Sequence, residues 1–202
     1  MCGIVAGVAG RDVVAVFLQG LKRLEYRGYD SCGVAVVRDG EIDRARSVAR
    51  VKDLAEQVRA EGMHGTIGIA HTRWATHGGP VVANAHPHIA GNRIALVHNG
   101  IIENFAQLRA ELEATGVTMQ SQTDTEVLAH LVNFYLEDDL LEALKKALSR
   151  VTGAYAVAVF DKRHPERIVG ARQGSPMVVG LGEGENFIAS DAMALVGVTD
   201  KI

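Results

Sequence analysis

The chain opens with MCGIVAGV, residues 1–8, and this stretch indicates both a buried strand and a reactive end. The apolar run Ile4 to Val8 lies between glycines, which is typical of a short strand inside a sheet. If the initiator methionine is removed, Cys2 carries a thiol nucleophile together with an α-amine whose ordinary pKa is about 7.7–8.0. One residue would then supply both a nucleophile and its base. A small half-buried cysteine at a strand start is the plainer interpretation.

Length and composition favour one compact domain over residues 1–202. The chain has 202 residues, of which 48% are hydrophobic and 22% are charged. A formal net charge of −3 with interspersed signs predicts no nucleic-acid partner, and the short apolar runs predict no membrane partner. Two cysteines and no leader-like segment favour a cytoplasmic protein. Because the last residues follow a strand-like and helix-like run without a tail or linker, we expect the chain to be a fragment of a longer protein.

The order of predicted elements favours an α+β fold with two mainly antiparallel sheets. Strands and a hairpin at Asp39-Gly40 come early, helices fill much of residues 103–150, and short strands occupy the last quarter. This order lacks the regular alternation of a doubly wound parallel sheet. Asp12 is expected to cap the first helix. Ile94 to His98 is expected to be a strand that ends at Asn99-Gly100.

A polar segment interrupts the apolar pattern at residues 71–80. Its sequence is His71-Thr72-Arg73-Trp74-Ala75-Thr76-His77-Gly78-Gly79-Pro80. It ends in turn-forming residues, which predicts a loop leaving a strand, where binding residues commonly lie. Within it, the Arg73 guanidinium suits a small-molecule carboxylate. Asp124, at a predicted helix start, suits an ammonium group. A solvated arginine and a helix-start carboxylate are the simpler alternatives, but together the two charges match the ends of a free amino acid.

Asn99 and Gly100 offer a side-chain amide and an unhindered backbone N–H, the donors that an oxyanion needs when a thiol attacks a carbonyl. A tight turn is the simpler interpretation of Asn-Gly. The chain has no helical His-x-x-x-His pair, no Cys-x-x-Cys and no phosphate-binding loop, so we expect no metal and no cofactor. Hydrogen bonds that hold loops are the expected role of the histidines at positions 64, 71, 77, 86, 88 and 98.

Five segments together resemble the glutaminase domain of class II glutamine amidotransferases, in particular that of glutamine–fructose-6-phosphate aminotransferases (isomerising). The resemblance extends to GENFIASD at 184–191 and so spans the chain. It implies the N-terminal-nucleophile hydrolase fold, a four-layer αββα sandwich. The five segments are MCGI at 1–4, LEYRGYDS at 24–31, HTRWATHG at 71–78, HNGIIEN at 98–104 and TDTE at 123–126.

The resemblance implies a role for each candidate residue. Cys2 would attack the side-chain amide of L-glutamine, and water would hydrolyse the resulting γ-glutamyl thioester. Asn99 and Gly100 would hold the oxyanion. Arg73 would bind the α-carboxylate of the substrate and Asp124 its α-amine. The residues expected to line the rest of the pocket are Trp74, Thr76 and His77.

The same resemblance implies partners. Ammonia would pass to a C-terminal sugar-phosphate isomerase portion of the same polypeptide, absent from this chain, which converts fructose 6-phosphate to glucosamine 6-phosphate. The full-length protein would be a homodimer. Two alternatives stay open: the glutaminase domain of a phosphoribosyl-pyrophosphate amidotransferase, and a non-catalytic glutamine-binding regulatory module. Cys32 and Gly79 depart from the letters usual in the family.

Overall fold

The computed structural model describes residues 2–202, and in that range it contains ten strands and five α-helices. Strands β1 to β10 are, in chain order, Gly3–Ala9, Ser31–Arg38, Glu41–Ser47, Ile67–Arg73, His88–Ala90, Ile94–Ile102, Gly153–Asp161, Ile168–Gln173, Val178–Leu181 and Glu185–Ala189. Helices α1 to α5 are Val14–Leu24, Val51–Ala60, Phe105–Ala114, Asp124–Tyr135 and Leu140–Leu148.

The strands form two sheets. A six-stranded sheet has the order β3-β2-β4-β1-β10-β9, and a four-stranded sheet has the order β5-β6-β7-β8. Neighbouring strands pair antiparallel in both sheets. The β2–β3 hairpin turns at Asp39 and Gly40, whose φ angles of 52° and 78° suit the two-residue turn that the sequence predicted. The expected antiparallel α+β organisation is therefore confirmed.

Alternation of side chains along the strands builds four layers. In β1, Val5 joins the core beneath α1 and α2, whereas Ile4 and Ala6 face the other sheet. In β6, Leu96 joins the core beneath α3, α4 and α5, whereas Val97 faces the first sheet. Because successive strand residues point to opposite faces, the two sheets pack on each other and helices cover both outer faces. The αββα sandwich is confirmed.

The central position of β1 fixes where Cys2 lies. β1 pairs with β4 on one side, with Gly3 opposite Thr72, and with β10 on the other. The Ile4 N–H donates to Ser190 Oγ at 2.9 Å, and the Ser190 N–H donates to the Ile4 carbonyl at 3.0 Å. A Cβ at residue 3 would lie 2.7 Å from Thr72 Oγ1, so only glycine lets the strand start this close to β4.

Two predicted strand ends were wrong. β4 continues through Arg73, so the loop after it begins at Trp74 and not at His71. β6 continues to Ile102 through Asn99-Gly100, which is therefore not a turn. In both cases the neighbouring strands decide the outcome, because β4 lies between β1 and β2 and the whole of β6 pairs with β7. Tertiary hydrogen bonding overrides the local preference of polar and turn-forming residues.

The predicted cap of α1 was also wrong. Val13 occupies the N-cap position, and no side chain caps the helix there. Asp12, one residue earlier, accepts hydrogen bonds from the N–H groups of Val14 and Gly65 at 3.2 and 3.1 Å. Its carboxylate therefore joins the helix start to the segment before β4, which sequence spacing alone does not reveal.

Candidate active site

The eight residues singled out by the sequence line two adjoining hollows. The larger hollow, about 290 Å³, is lined by Cys2, Trp74, Thr76, Asn99 and Gly100 among others. The smaller hollow, about 10 Å³, shares four of these residues and adds the remaining three, which are Arg73, His77 and Asp124. The ends of β1, β4 and β6 and the first turn of α4 supply the site, so both sheets contribute to it.

Cys2 is half-buried immediately before β1. Its Sγ accepts a hydrogen bond from the Trp74 N–H at 3.2 Å, and its carbonyl accepts one from Asn99 Nδ2 at 3.0 Å. Burial raises the pKa of the Cys2 thiol, and the Trp74 N–H opposes that effect. The sulfur therefore keeps its proton near neutrality and needs a base to become a nucleophile. The predicted removal of Met1 concerns a residue outside the described range.

Asn99 and Gly100 lie side by side on β6, next to Cys2. Asn99 Oδ1 is 3.0 Å from His71 Nε2, which leaves its Nδ2 directed at the carbonyl of Cys2. Gly100 has a φ of 127°, and a Cβ there would lie 2.0 Å from the Ala154 carbonyl oxygen. Position 100 therefore accepts only glycine, which keeps the floor of the larger hollow open beside the thiol.

Arg73 is the last residue of β4 and is buried. Its guanidinium donates to the carbonyl oxygens of His77 at 2.5 Å, Gly78 at 3.1 Å and Gly79 at 3.2 Å. The loop after β4 is thus wrapped around the arginine that precedes it. An arginine has five N–H donors, so donors remain for a ligand once these three carbonyls are satisfied.

Asp124 is buried at the first position of α4. Its Oδ2 accepts a hydrogen bond from the Ile102 N–H at 2.9 Å, while its Oδ1 lies 3.9 Å from His77 Nδ1. The helix begins as expected, because Thr123 Oγ1 accepts from the Glu126 N–H at 3.2 Å. The Glu126 carboxylate accepts hydrogen bonds from the backbone N–H groups at positions 120 and 121, just before the helix.

Sequence reasoning missed residues that support the site. Asp30 accepts a hydrogen bond from the Ala75 N–H and lies 3.5 Å from Arg73, so it ties down the start of the loop. Arg27 lines the larger hollow and pairs with Asp191 at 3.0 Å. All three lie in segments that carried the resemblance. Their residue types alone did not indicate that they lie near the site, because their partners are distant in the sequence.

Among residues 2–202, no group of three or more histidine, cysteine, aspartate or glutamate side chains is arranged to hold a metal ion. In the same range, no helix combines the length and apolar character needed to cross a membrane.

The family model for the glutamine amidotransferase domain matches residues 71–197. The chain belongs to this family.

Sequence relatives show which kind of family member this chain resembles. A glutamine–fructose-6-phosphate aminotransferase (isomerising) of Bordetella pertussis is 60% identical over 207 residues, covering 100% of this chain and 34% of the relative. Those of Haemophilus influenzae and Pseudomonas putida are 56% and 54% identical over 204 residues, covering 100% of this chain and 33% of each relative. The chain spans about a third of the length of these curated relatives, and matches their N-terminal portion. The resemblance found in the sequence is confirmed.

Solved structures confirm the N-terminal-nucleophile hydrolase fold. The glutamine phosphoribosylpyrophosphate amidotransferase of B. subtilis, complexed with ADP and GMP, superposes with a TM-score of 0.85 at 27% identity, covering 98% of this chain and 44% of that chain. A structure described as the allosteric regulatory enzyme of purine biosynthesis gives 0.86 at 28% identity, with the same coverage of both chains. These amidotransferases share the fold, whereas the sequence is far more similar to the aminotransferases.

A cluster of four buried histidines lies beneath the candidate site. The rings of His71 and His86 stack with centroids 4.0 Å apart. Thr125 Oγ1 lies 2.8 Å from His86 Nε2 and 3.0 Å from His98 Nδ1, and His88 contacts the N-cap residue of α4. His86 lies in the loop before β5 and ties it to α4, in line with the loop-holding role that the sequence predicted, whereas His88 and His98 connect strands β5 and β6 to the start of α4. Burial lowers the pKa of all four rings, for His71 and His88 to about 3.

The cluster predicts a loss of stability in mild acid. A folded-state pKa below the ordinary 6.5 means that the unfolded chain takes up protons first, so stability is full above that pH and falls as the pH drops. We expect the free energy of unfolding in denaturant to decrease between about pH 6.5 and pH 5, by up to about 1.4 kcal/mol per pH unit for each histidine. In this window Glu126, whose pKa is lowered to about 2, contributes little because its ordinary value is 4.5.

Single substitutions make this test specific. His86→Gln should reduce the slope of stability against pH, because one buried ring no longer has to stay neutral. The matched control is His64→Gln, at an exposed histidine that should leave the slope as in the parent chain. A free energy of unfolding that stays constant from about pH 7 to pH 5 would contradict the account.

Proposed function

We propose that this chain is the glutaminase part of a glutamine–fructose-6-phosphate aminotransferase and hydrolyses the side-chain amide of L-glutamine to glutamate and ammonia. The observation that carries the proposal is the placement of the half-buried Cys2 thiol. It lies beside two oxyanion donors and near two buried side chains of opposite charge, Arg73 and Asp124. The identity of 54–60% to enzymes of that name supports the same activity. No specific observation favours the phosphoribosyl-pyrophosphate alternative, whose supporting structures share only the fold.

The thiol requires a base. Among the described residues, no side chain with a basic group makes a hydrogen bond with Cys2 Sγ, whose partner is the backbone of Trp74. We therefore assign the base to the α-amine of Cys2, which becomes free when Met1 is removed. The amine takes the thiol proton as the sulfur attacks the amide carbon of glutamine. The electron pair of the C=O bond moves to oxygen, where Asn99 Nδ2–H and the Gly100 N–H stabilise it.

The tetrahedral intermediate then collapses. The C–N bond breaks, the α-ammonium returns its proton to the leaving nitrogen, and ammonia departs from the γ-glutamyl thioester. In the second half, water gives a proton to the amine and adds to the thioester carbon. The C–S bond breaks, the thiolate recovers its proton, and glutamate is released. No cofactor takes part in this sequence of steps.

Substrate recognition is assigned to the smaller hollow. Arg73 would bind the α-carboxylate with the donors that the loop carbonyls leave unused, and Asp124 would bind the α-ammonium through Oδ1. Trp74, Thr76 and His77 would surround the substrate, and the loop from Trp74 to Pro80 would close over it. The hydrogen bonds of Arg73 to loop carbonyls support a part for the loop in binding, because the same side chain can hold the loop and the ligand.

The longer relatives support a proposal about the whole protein. In it, ammonia would pass to a sugar-phosphate isomerase portion of the same polypeptide and be used to make glucosamine 6-phosphate from fructose 6-phosphate. Trp74, 49% exposed at the larger hollow, would lie near the ammonia exit. Residues 1–202 would form one domain that releases ammonia but makes no amino sugar. A homodimer and a cytoplasmic setting belong to the same proposal.

Glutamate release tests the activity. Cys2→Ala should lower the rate by at least about 1,000-fold, because the nucleophile is lost. The matched control is Cys32→Ala, which removes the other thiol; burial raises the pKa of Cys32 to about 12, so that thiol is inert. Equal rates for the parent and Cys2→Ala would contradict the proposal. Glutamine binding without turnover by the parent chain would favour the regulatory module.

Truncated substrates test the recognition residues. Arg73→Ala should lower kcat/KM for glutamine by about 100-fold, yet hardly change it for 4-aminobutanamide, which lacks the α-carboxylate. Asp124→Asn should show the matching pattern with glutaramic acid, which lacks the α-amine. Each variant is the control for the other. Arg73→Ala should remove only the preference for a substrate with the α-carboxylate, and Asp124→Asn only the preference for one with the α-amine. If both substrates lose activity equally in Arg73→Ala, the arginine only holds the loop and the assignment is wrong.

A further inference from the structure

The amide of Asn99 can serve an oxyanion in only one of its two orientations. Its oxygen and nitrogen are nearly the same size, so shape alone does not determine which of them faces the thiol. With Nδ2 towards Cys2 the group donates a hydrogen bond, whereas with Oδ1 there it would repel a developing negative charge. Something other than packing must select the productive orientation.

The tautomer of His71 makes that selection. His71 Nε2 lies 3.1 Å from the carbonyl oxygen of His98, which can only accept a hydrogen bond. Nε2 must therefore carry the proton. The same nitrogen lies 3.0 Å from the Asn99 side chain, and a protonated nitrogen there requires the amide oxygen to face it. The backbone carbonyl thus determines the tautomer of His71, and the tautomer determines the orientation of Asn99.

The surroundings of the rest of the His71 ring agree with a neutral ring that donates through Nε2. Nδ1 is buried and has no hydrogen-bond partner in the part of the chain that the structure describes, as suits a bare nitrogen but not an N–H group. Burial lowers the pKa of His71 to about 3, so the ring stays neutral near pH 7. Stacking on His86 at 4.0 Å holds the plane of the ring. A second anchor is the Cys2 carbonyl, which Asn99 Nδ2 meets at 3.0 Å.

We propose that His71 is a positioning residue that, through its Nε2–H, holds the Asn99 amide with its nitrogen towards the reacting carbonyl. The inference rests on the proposed glutaminase function and extends it to a residue that touches neither substrate nor thiol. His71 belongs to β4 and Asn99 to β6, so this hydrogen bond also connects the two sheets beside the nucleophile.

Four variants test the proposal by glutamate release. His71→Phe keeps a flat ring without the donor and should lower kcat by about 10- to 100-fold, with KM for glutamine nearly unchanged, because the oxyanion donor acts in the transition state. His71→Gln should restore most of kcat, since its amide nitrogen lies as many bonds from Cα as Nε2 does. His71→Asn, one bond shorter, should not. Asn99→Ala should lower kcat by about 100- to 1,000-fold.

The double variant gives the readout that a merely structural role would not produce. If His71 acts through Asn99, adding His71→Phe to Asn99→Ala should change kcat by less than about twofold. His88→Phe is the matched control, because this buried histidine contacts Thr123 and should lower kcat by the same factor with or without Asn99→Ala. Losses from His71→Phe and Asn99→Ala that multiply would overturn the proposal, as would an unchanged kcat in His71→Phe.

Folding and function are separated in the same experiment. If His71→Phe does not fold, as judged by thermal unfolding, the comparison of His71→Gln with His71→Asn decides, and equal kcat values in those two would overturn the proposal. A parent chain that releases no glutamate would instead refute the glutaminase function itself. When the parent chain is active and Cys2→Ala is inactive, the His71 variants test the positioning role alone.

Discussion

The position of one strand determines the rest of this structure. β1 begins one residue after Cys2 and is held on both edges, by β4 and by β10. The close approach of Gly3 to Thr72 and the reciprocal hydrogen bonds between Ile4 and Ser190 leave the start of the strand no freedom. A residue this close to the start of a chain would ordinarily be mobile. Here a central strand gives Cys2 the fixed geometry that the proposed covalent catalysis needs.

The site combines burial with satisfied polar groups. Arg73 and Asp124 are buried, yet backbone groups of the loop and of β6 satisfy part of their hydrogen-bonding capacity before any ligand is present. The histidines beneath them stay neutral through burial, and three of the four hydrogen-bond to Thr123 or Thr125 at the start of α4. Each of these rings has one hydrogen-bonded nitrogen, which a neutral ring can use as its donor, so the network favours one arrangement of the two sheets. Stability and catalytic geometry therefore depend on the same contacts.

The sequence predicted the local features well and the long-range ones poorly. The Asp39-Gly40 hairpin, the strand after Cys2 and the helix start at Asp124 all follow from short-range chemistry. The continuation of β6 through Asn99-Gly100 does not, because it depends on pairing with β7, a distant part of the chain. The supporting role of Asp30 was missed for the same reason. Chemistry alone singled out five of the eight candidate residues, whereas the resemblance added Trp74, Thr76 and His77 and assigned a role to each residue.

In the proposed mechanism, the sulfur and the α-nitrogen of Cys2 act together on a carboxamide. Peptide mass mapping of the protein, acid-quenched during glutamine turnover, tests this mechanism. We expect an N-terminal peptide that starts at Cys2 and carries a γ-glutamyl group on that residue. Normal turnover by protein that retains Met1, or a γ-glutamyl group on any other residue, would contradict it.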